Sequence, residues 1–130
     1  MRQTYTFDRV DRMSDILYGI AVARGLIEYE RLGHRVETRP DHMTHLLAEV
    51  SRKSVAQGGP MWTALCVSTR TKRPHDQLHR LARELRPEYA NLDNEEMWQV
   101  ERQRCYETAH GRSTSVAARR RYSLAATHKG

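Results

Sequence analysis

Between residues 8 and 24 apolar side chains return every three or four positions: Val10, Met13, Leu17, Ile20 and Ala21, with Asp11, Arg12 and Asp15 between them. That period predicts a helix. Asp8 is placed to cap its first turn, Phe7 to staple it from outside, and Gly25 to end it in a left-handed C-cap. Residues 26–29 are too few to choose between a brief strand and the start of a helix. Residues 30–36 predict a short second helix. Arg39-Pro40 then forces an extended link, because proline keeps the residue before it out of the helical region. Asp41 caps a third helix running to about Gln57, with Met43, Leu46, Leu47 and Val50 on one face. Gly58-Gly59 before Pro60 stops it.

The pattern changes at residues 61–69, Met-Trp-Thr-Ala-Leu-Cys-Val-Ser-Thr. Nearly every position is apolar or β-favouring, which predicts a strand that is central or covered on both faces. Arg70-Thr71-Lys72-Arg73 follows as a basic loop. Pro74 suits the first turn of a fourth helix with Leu78, Leu81, Ala82 and Leu85 as its apolar stripe. Asn94 opens a fifth helix to about Thr108 that buries Met97, Trp98 and Cys105. Trp62 is expected in the core and Trp98 only partly buried. Residues 111–130 hold little to bury and predict a mobile basic tail, or one that orders only against a partner.

These elements make the expected fold class α+β: mostly helical, with one strong buried strand and a C-terminal helix, in a single domain over residues 1–110. A chain of 130 residues supports one ordinary core. No apolar run is long enough to span a membrane, and the N-terminus lacks the apolar stretch of a secretory signal. Two cysteines, far apart, give neither a disulfide framework nor a zinc spacing, so both are expected as buried or half-buried free thiols. The cytosol is the expected compartment. Arginines outnumber lysines 19 to three. Codon use in a GC-rich genome, such as an actinobacterium's or one of its phages', accounts for that bias without any functional cause.

Charge is blocky. Residues 1–51 carry seven basic and eight acidic side chains, residues 52–86 eight and two, residues 87–110 two and six, and residues 111–130 five and none. Segregated basic blocks point to an anionic partner. The candidate nucleic-acid contacts are Arg39, Arg52 and Lys53 around the third helix, Arg70, Lys72 and Arg73 after the strand, and Arg119, Arg120 and Arg121 near the C-terminus. His42, His45, Arg80, Arg83 and Arg86 lie among them. The competing expectation is a protein-interaction module without nucleic-acid binding. In one form of it the protein is a homo-oligomer, the acidic fifth helix of one copy meeting the basic 70–86 region of another.

Catalysis finds no foothold. No glycine-rich phosphate loop precedes a helix, and no Ser or Cys stands in a nucleophile setting. His75 and His79, four apart, would share a helical face and could hold a metal. Asp76 stands where the longer Glu of a His-Glu-x-x-His protease would be, and no third ligand follows. His42 and His45 are a similar pair. A solvated helix face explains both, and neither a metal nor another cofactor is expected.

The order helix, short extended piece, short helix, longer helix, Gly-Pro turn and strand resembles a winged helix-turn-helix. Tyr29-x-x-Leu32-Gly33, Leu46-Leu47 and Pro60-x-x-x-Ala64-Leu65-x-Val67 resemble a set of small bacterial and phage proteins of no assigned activity. The same order resembles the winged-helix domain of the alkylguanine alkyltransferases. Their reactive Pro-Cys-His-Arg is absent here, and Cys66 has an apolar setting that dulls a thiol. That activity is therefore not expected.

Overall fold

The computed structural model describes residues 2–113, with side chains from Arg9 to Gly111. The described residues form five α-helices: α1 (Arg2–Val22), α2 (Tyr29–Arg35), α3 (Pro40–Ala56), α4 (Asp76–Leu85) and α5 (Asn94–Ser113). Two-residue strands β1 (Ile27–Glu28) and β2 (Cys66–Val67) pair in parallel, Ile27 opposite Cys66 and Glu28 opposite Val67. Short 3₁₀ turns cover Trp62–Leu65 and Pro87–Asn91. The mostly helical α+β layout matches the sequence expectation. Parallel pairing means that the two strands are not the arms of a hairpin.

Helix ends follow local chemistry, with several shifts from the expected positions. The first helix begins at Arg2, ahead of the expected cap at Asp8. At its other end Arg24, at φ 54°, takes the left-handed position expected of Gly25. The Gly25 N–H reaches back to the Ile20 carbonyl at 2.9 Å and the Arg24 N–H to Ala21 at 3.0 Å, a Schellman closure set one residue earlier. The third helix is capped at Arg39 and not at Asp41, because Pro40 takes its first turn. The fourth starts at Asp76, beyond the Pro74 expected in its first turn. Gly58, at φ 82°, ends α3 as expected, and the Gly59 N–H bonds the Ser54 carbonyl at 2.8 Å. A Cβ on Gly59 would lie 2.6 Å from Ser54 Oγ, so glycine is what lets the chain double back here.

The expected strand over 61–69 shrinks to Cys66–Val67. The reason lies in α5. The Trp98 indole N–H donates to the Ala64 carbonyl at 2.8 Å, Glu101 accepts the Met61 N–H at 2.7 Å, and Cys105 Sγ lies 3.2 Å from the Met61 carbonyl. Backbone groups that a neighbouring strand would have satisfied are taken by side chains, and residues 62–65 tighten into a 3₁₀ turn. Expected coverage on both sides does hold: Pro60 through Val67 are all buried.

Val10, Met13, Leu17 and Ala21 of α1 meet Met43, Leu46 and Val50 of α3 and Trp98, Cys105 and Ala109 of α5 in the main core. A satellite cluster of Met61, Ala82, Tyr89 and Met97 sits under α4. Trp62 is 4% exposed and Trp98 3%, so the second tryptophan is buried as deeply as the first, against expectation. Both cysteines are buried free thiols. Between the clusters, the Glu101 carboxylate takes Arg86 Nε at 2.8 Å and Nη2 at 3.0 Å, besides the Met61 N–H and the Tyr89 hydroxyl. Arg86 also donates to the Gly59 carbonyl at 3.0 Å, tying α5 to the α3 stop.

Candidate nucleic-acid interface

Most cations proposed from sequence stand beside a carboxylate. Arg39 forks onto Asp41 at 3.0 and 3.2 Å. Arg52 meets Glu84 of α4 at 2.6 Å, and Lys53 meets Asp11 of α1 at 2.7 Å. Successive helical residues point about 100° apart, so these two neighbours diverge to opposite flanks of α3 and do not form one patch. Lys72 reaches Glu28 at 2.6 Å, joining the loop 68–75 to β1. The bond and charge of Lys72 hold the Glu28 carboxyl below its ordinary range, with a smaller effect from Arg31. Arg52 does the same to Glu84.

Arg73 has a different environment. Its guanidinium forks onto Glu95 at 2.7 and 3.1 Å and lies over the Trp98 ring at 4.4 Å from the centroid. Arg102 also lies over that ring, at 4.3 Å. Arg73 is therefore the clamp that fixes the loop to α5, with cation–π attraction added to the ion pair. Arg70 is exposed and enters no ion pair among the described residues. Arg119, Arg120 and Arg121, with most of the expected basic tail, lie outside the described residues; the expected start of that tail, residues 111–113, is the last turn of α5.

The basic and acidic blocks thus meet inside one chain. Arg73–Glu95 and Arg86–Glu101 pair the 70–86 region with α5, the meeting that would have drawn two copies together. Over residues 9–111 the sequence holds 16 Lys and Arg against 15 Asp and Glu, and residues 112–130 hold five against none. Almost all net charge therefore belongs to the C-terminal stretch.

Two cations on α2 escaped notice in the sequence. Arg31 and Arg35 are exposed, and neither has a carboxylate within ion-pair distance among the described residues. Their spacing of four, which places both on one helical face, was the available signal.

No family model, curated protein or solved structure matches this chain. Function must be read from its surfaces. One solvent-facing strip of α3 carries His42, His45, Glu49 and Arg52, all exposed, with Thr44 and Lys53 exposed beside it. One cation already paired, one carboxylate and two imidazoles leave this strip without the Asn, Gln or unpaired Arg that reads base edges.

The proposed histidine pair separates. His75 precedes the first turn of α4 and packs edge-on against Tyr29, ring centroids 4.7 Å apart. His79 is buried, with Nδ1 3.9 Å from Asp76 and without a hydrogen bond. Burial holds the His79 imidazole below its ordinary pKa, against the opposing pull of Asp76. Among the described residues no three His, Cys, Asp or Glu gather to hold a metal. Burial pushes the Cys66 thiol up to about 12, far from a reactive thiolate. No described helix is long and apolar enough to cross a membrane.

Three clefts border α3, one of them toward α2, about 330 Å³, lined by Tyr29, Glu30, Gly33 and Met43. Toward α1 lies a polar seam of about 500 Å³ containing the Lys53–Asp11 pair, Ser14, Asp15 and Gln57. Toward α4 lies a smaller cleft of about 310 Å³ with apolar walls.

Proposed function

We propose that the chain is a small, non-enzymatic, nucleic-acid-associated regulatory protein of the cell interior. It binds phosphate backbone through α2, α3 and the loop 68–75, together with the basic stretch 112–130. The observation that carries this reading is the pairing of α2 with the 17-residue α3 across a short turn, the longer helix turning a polar strip to solvent. That arrangement is the one a helix-turn-helix uses to set its second helix against a groove. In the winged-helix version of the proposal, loop 68–75 stands where a wing would touch backbone; the parallel strands are its departure. Kinship with the small bacterial and phage proteins that share the Tyr-x-x-Leu-Gly pattern belongs to the same proposal.

Binding of this kind is insensitive to sequence. The α3 strip lacks base readers, so its partners are phosphates, which position without specifying. Exposed ion pairs are each worth about 0–1 kcal/mol, and exchanging a carboxylate for a phosphate costs little. Attraction at a distance comes from residues 112–130, where no acid offsets the five cations. The folded body adds Arg31, Arg35 and Arg70, and whatever Lys72 and Arg52 contribute on leaving Glu28 and Glu84.

Generic duplex DNA, titrated at low and at physiological salt, tests this. Binding is expected at low salt and should weaken steeply as salt rises. Arg70→Ser with Lys72→Ser should weaken it for all sequences alike and reduce the salt slope by up to about 0.9 for each phosphate that is no longer neutralised. Arg73 stays in place because it holds the loop on Trp98. A wild-type chain that shifts neither duplex nor single strand at low ionic strength sinks the proposal. The protein-interaction reading would then stand in its place.

A further inference from the structure

The cleft between α3 and α4 has a consistent chemistry. Leu47, Leu78 and Leu81 wall it, with Pro40 and Pro74 at its ends and Cys66 at its floor. No Asp, Glu, Lys or Arg lines it. Next to the lining residues in sequence, Arg39 is paired with Asp41, Asp76 is exposed between His75 and Gln77, and Glu30 lines the adjoining cleft that shares Tyr29 and Pro40. The floor hydroxyl of Thr63 is satisfied by Ser51 at 2.6 Å, so nothing deep in the cleft calls for a polar partner.

Polarity is confined to the mouth. There Tyr29 and His75 pack edge-to-face at 69°, beside the exposed hydroxyl of Thr44 and amide of Gln77. The Tyr29 hydroxyl is held only by long hydrogen bonds, 3.3 Å to the Pro40 carbonyl and 3.5 Å to Thr44 Oγ1. Distances of that length are at the weak limit of a hydrogen bond, and such bonds exchange readily for a better partner. Apolar walls with a few polar groups at one end are the usual make-up of a small-molecule site, and the volume falls at the lower end of the range for such sites, about 300–1,000 Å³.

We propose that this cleft binds a small, uncharged, flat heteroaromatic molecule of one or two rings. The ring lies against the leucine wall and under the Tyr29–His75 pair, with its hydrogen-bonding edge turned to Thr44 and Gln77. A charged ligand would lose its hydration with no counter-charge in the walls to replace it. An aromatic one gains the edge-to-face packing that the mouth already displays. The site is independent of the phosphate-binding proposal, since none of its lining groups is a cation.

Indole is a suitable probe, with benzoate and benzylamine as its anionic and cationic counterparts. Binding is read by saturation-transfer NMR and titration calorimetry on the full chain. Indole should bind about tenfold or more tightly than either charged probe. Ala48→Leu, which fills the cleft from α3, and Tyr29→Ala, which removes the mouth ring, should each weaken indole by about tenfold or more. Melting temperatures identify which variants retain the fold, and either one suffices. Failure of indole to bind the wild type up to its solubility overturns the proposal. So does equal binding of a charged probe, or unchanged indole binding in a folded variant. Sedimentation showing a dimer that Ala48→Leu abolishes would assign the cleft to a second copy instead, and would likewise overturn it.

Discussion

Arg86–Glu101 and Lys72–Glu28 are both cation–carboxylate pairs, a guanidinium in the first and an ammonium in the second, in opposite settings. The side chains of the first pair are 11% and 3% exposed, and those of the second are 58% and 42% exposed. Arg86 and Glu101 share their remaining hydrogen-bonding capacity with Gly59, Met61 and Tyr89, so the pair closes a largely buried network. Lys72 and Glu28 bond each other in the open, with only the more distant charge of Arg31 acting on the carboxylate besides. Burial, rather than distance, separates a pair that holds the fold from one that can trade partners. Burial does not sort the remaining cations, since Arg73 and Arg52 are 47% and 46% exposed; the contact over the Trp98 ring is what places Arg73 with the fold and leaves Arg52 in the exchangeable set.

The largest effect is expected at the buried pair. Glu101→Ala leaves the Arg86 charge and the Met61 N–H without their partner, and should cost about 3–5 kcal/mol in chemical denaturation. Replacing both residues by apolar ones, Arg86→Met with Glu101→Leu, should recover much of that loss. A single Glu101→Ala costing under about 1 kcal/mol would erase the distinction from the exposed pairs.

Gly59 comes next, because its carbonyl is one of the Arg86 acceptors. In Gly59→Ala the new methyl would fall 2.6 Å from Ser54 Oγ and 3.2 Å from the Ser54 carbonyl. Overpacking of this kind should cost about 1–3 kcal/mol. Gly58→Ala meets no neighbour within 4 Å and bears only the strain of its positive φ of 82°. Its expected cost is about 1 kcal/mol, at the lower end of the left-handed penalty.

Acid pH sharpens the contrast from another side. His79 has a folded pKa below its unfolded value, so the unfolded state binds the proton more readily. Its contribution is complete above an unfolded pKa of about 6.5 and declines as pH falls toward the folded value. Glu28, Glu84 and Glu95, whose carboxyls are held low by Lys72, Arg52 and Arg73, keep their charge through that interval and lose it only as pH falls through their own lowered values. As pH falls below about 6.5, stability should therefore fall through His79. His79→Leu should flatten the curve there; an unchanged curve would remove His79 from the account.

Local chemistry in the sequence foretold much of the fold. Gly58 marks the end of α3 as expected because it acts through its own backbone, whereas Pro40, expected in the link before the helix, is its first residue. Residues 61–69 misled because a β-favouring run records burial without saying what covers it, and the covering side chains Trp98 and Glu101 lie 34 and 40 residues beyond the groups they bond. Charge misled similarly. Arg39 and Asp41 are two residues apart and legible as a pair, whereas Arg73, Arg52, Lys53 and Lys72 find carboxylates 22, 32, 42 and 44 residues away. Block counts identify where cations are, and only the fold shows which are occupied. His75 and His79 share a face only if both are helical, and α4 starts at Asp76, between them.

The smallest change in stability should accompany the most informative change in binding. Glu28→Gln with Glu84→Gln removes the partners of Lys72 and Arg52 without touching a cation. Because both pairs are exposed, the melting temperature should barely move. If exposed carboxylates hold those cations back from phosphate, the double variant should bind generic duplex DNA more tightly than the wild type at low salt. Its log K against log salt should also be steeper, by about 0.9 for each additional phosphate neutralised. Equal or weaker binding, on an unchanged fold, would contradict the claim that Lys72 and Arg52 exchange carboxylate for phosphate.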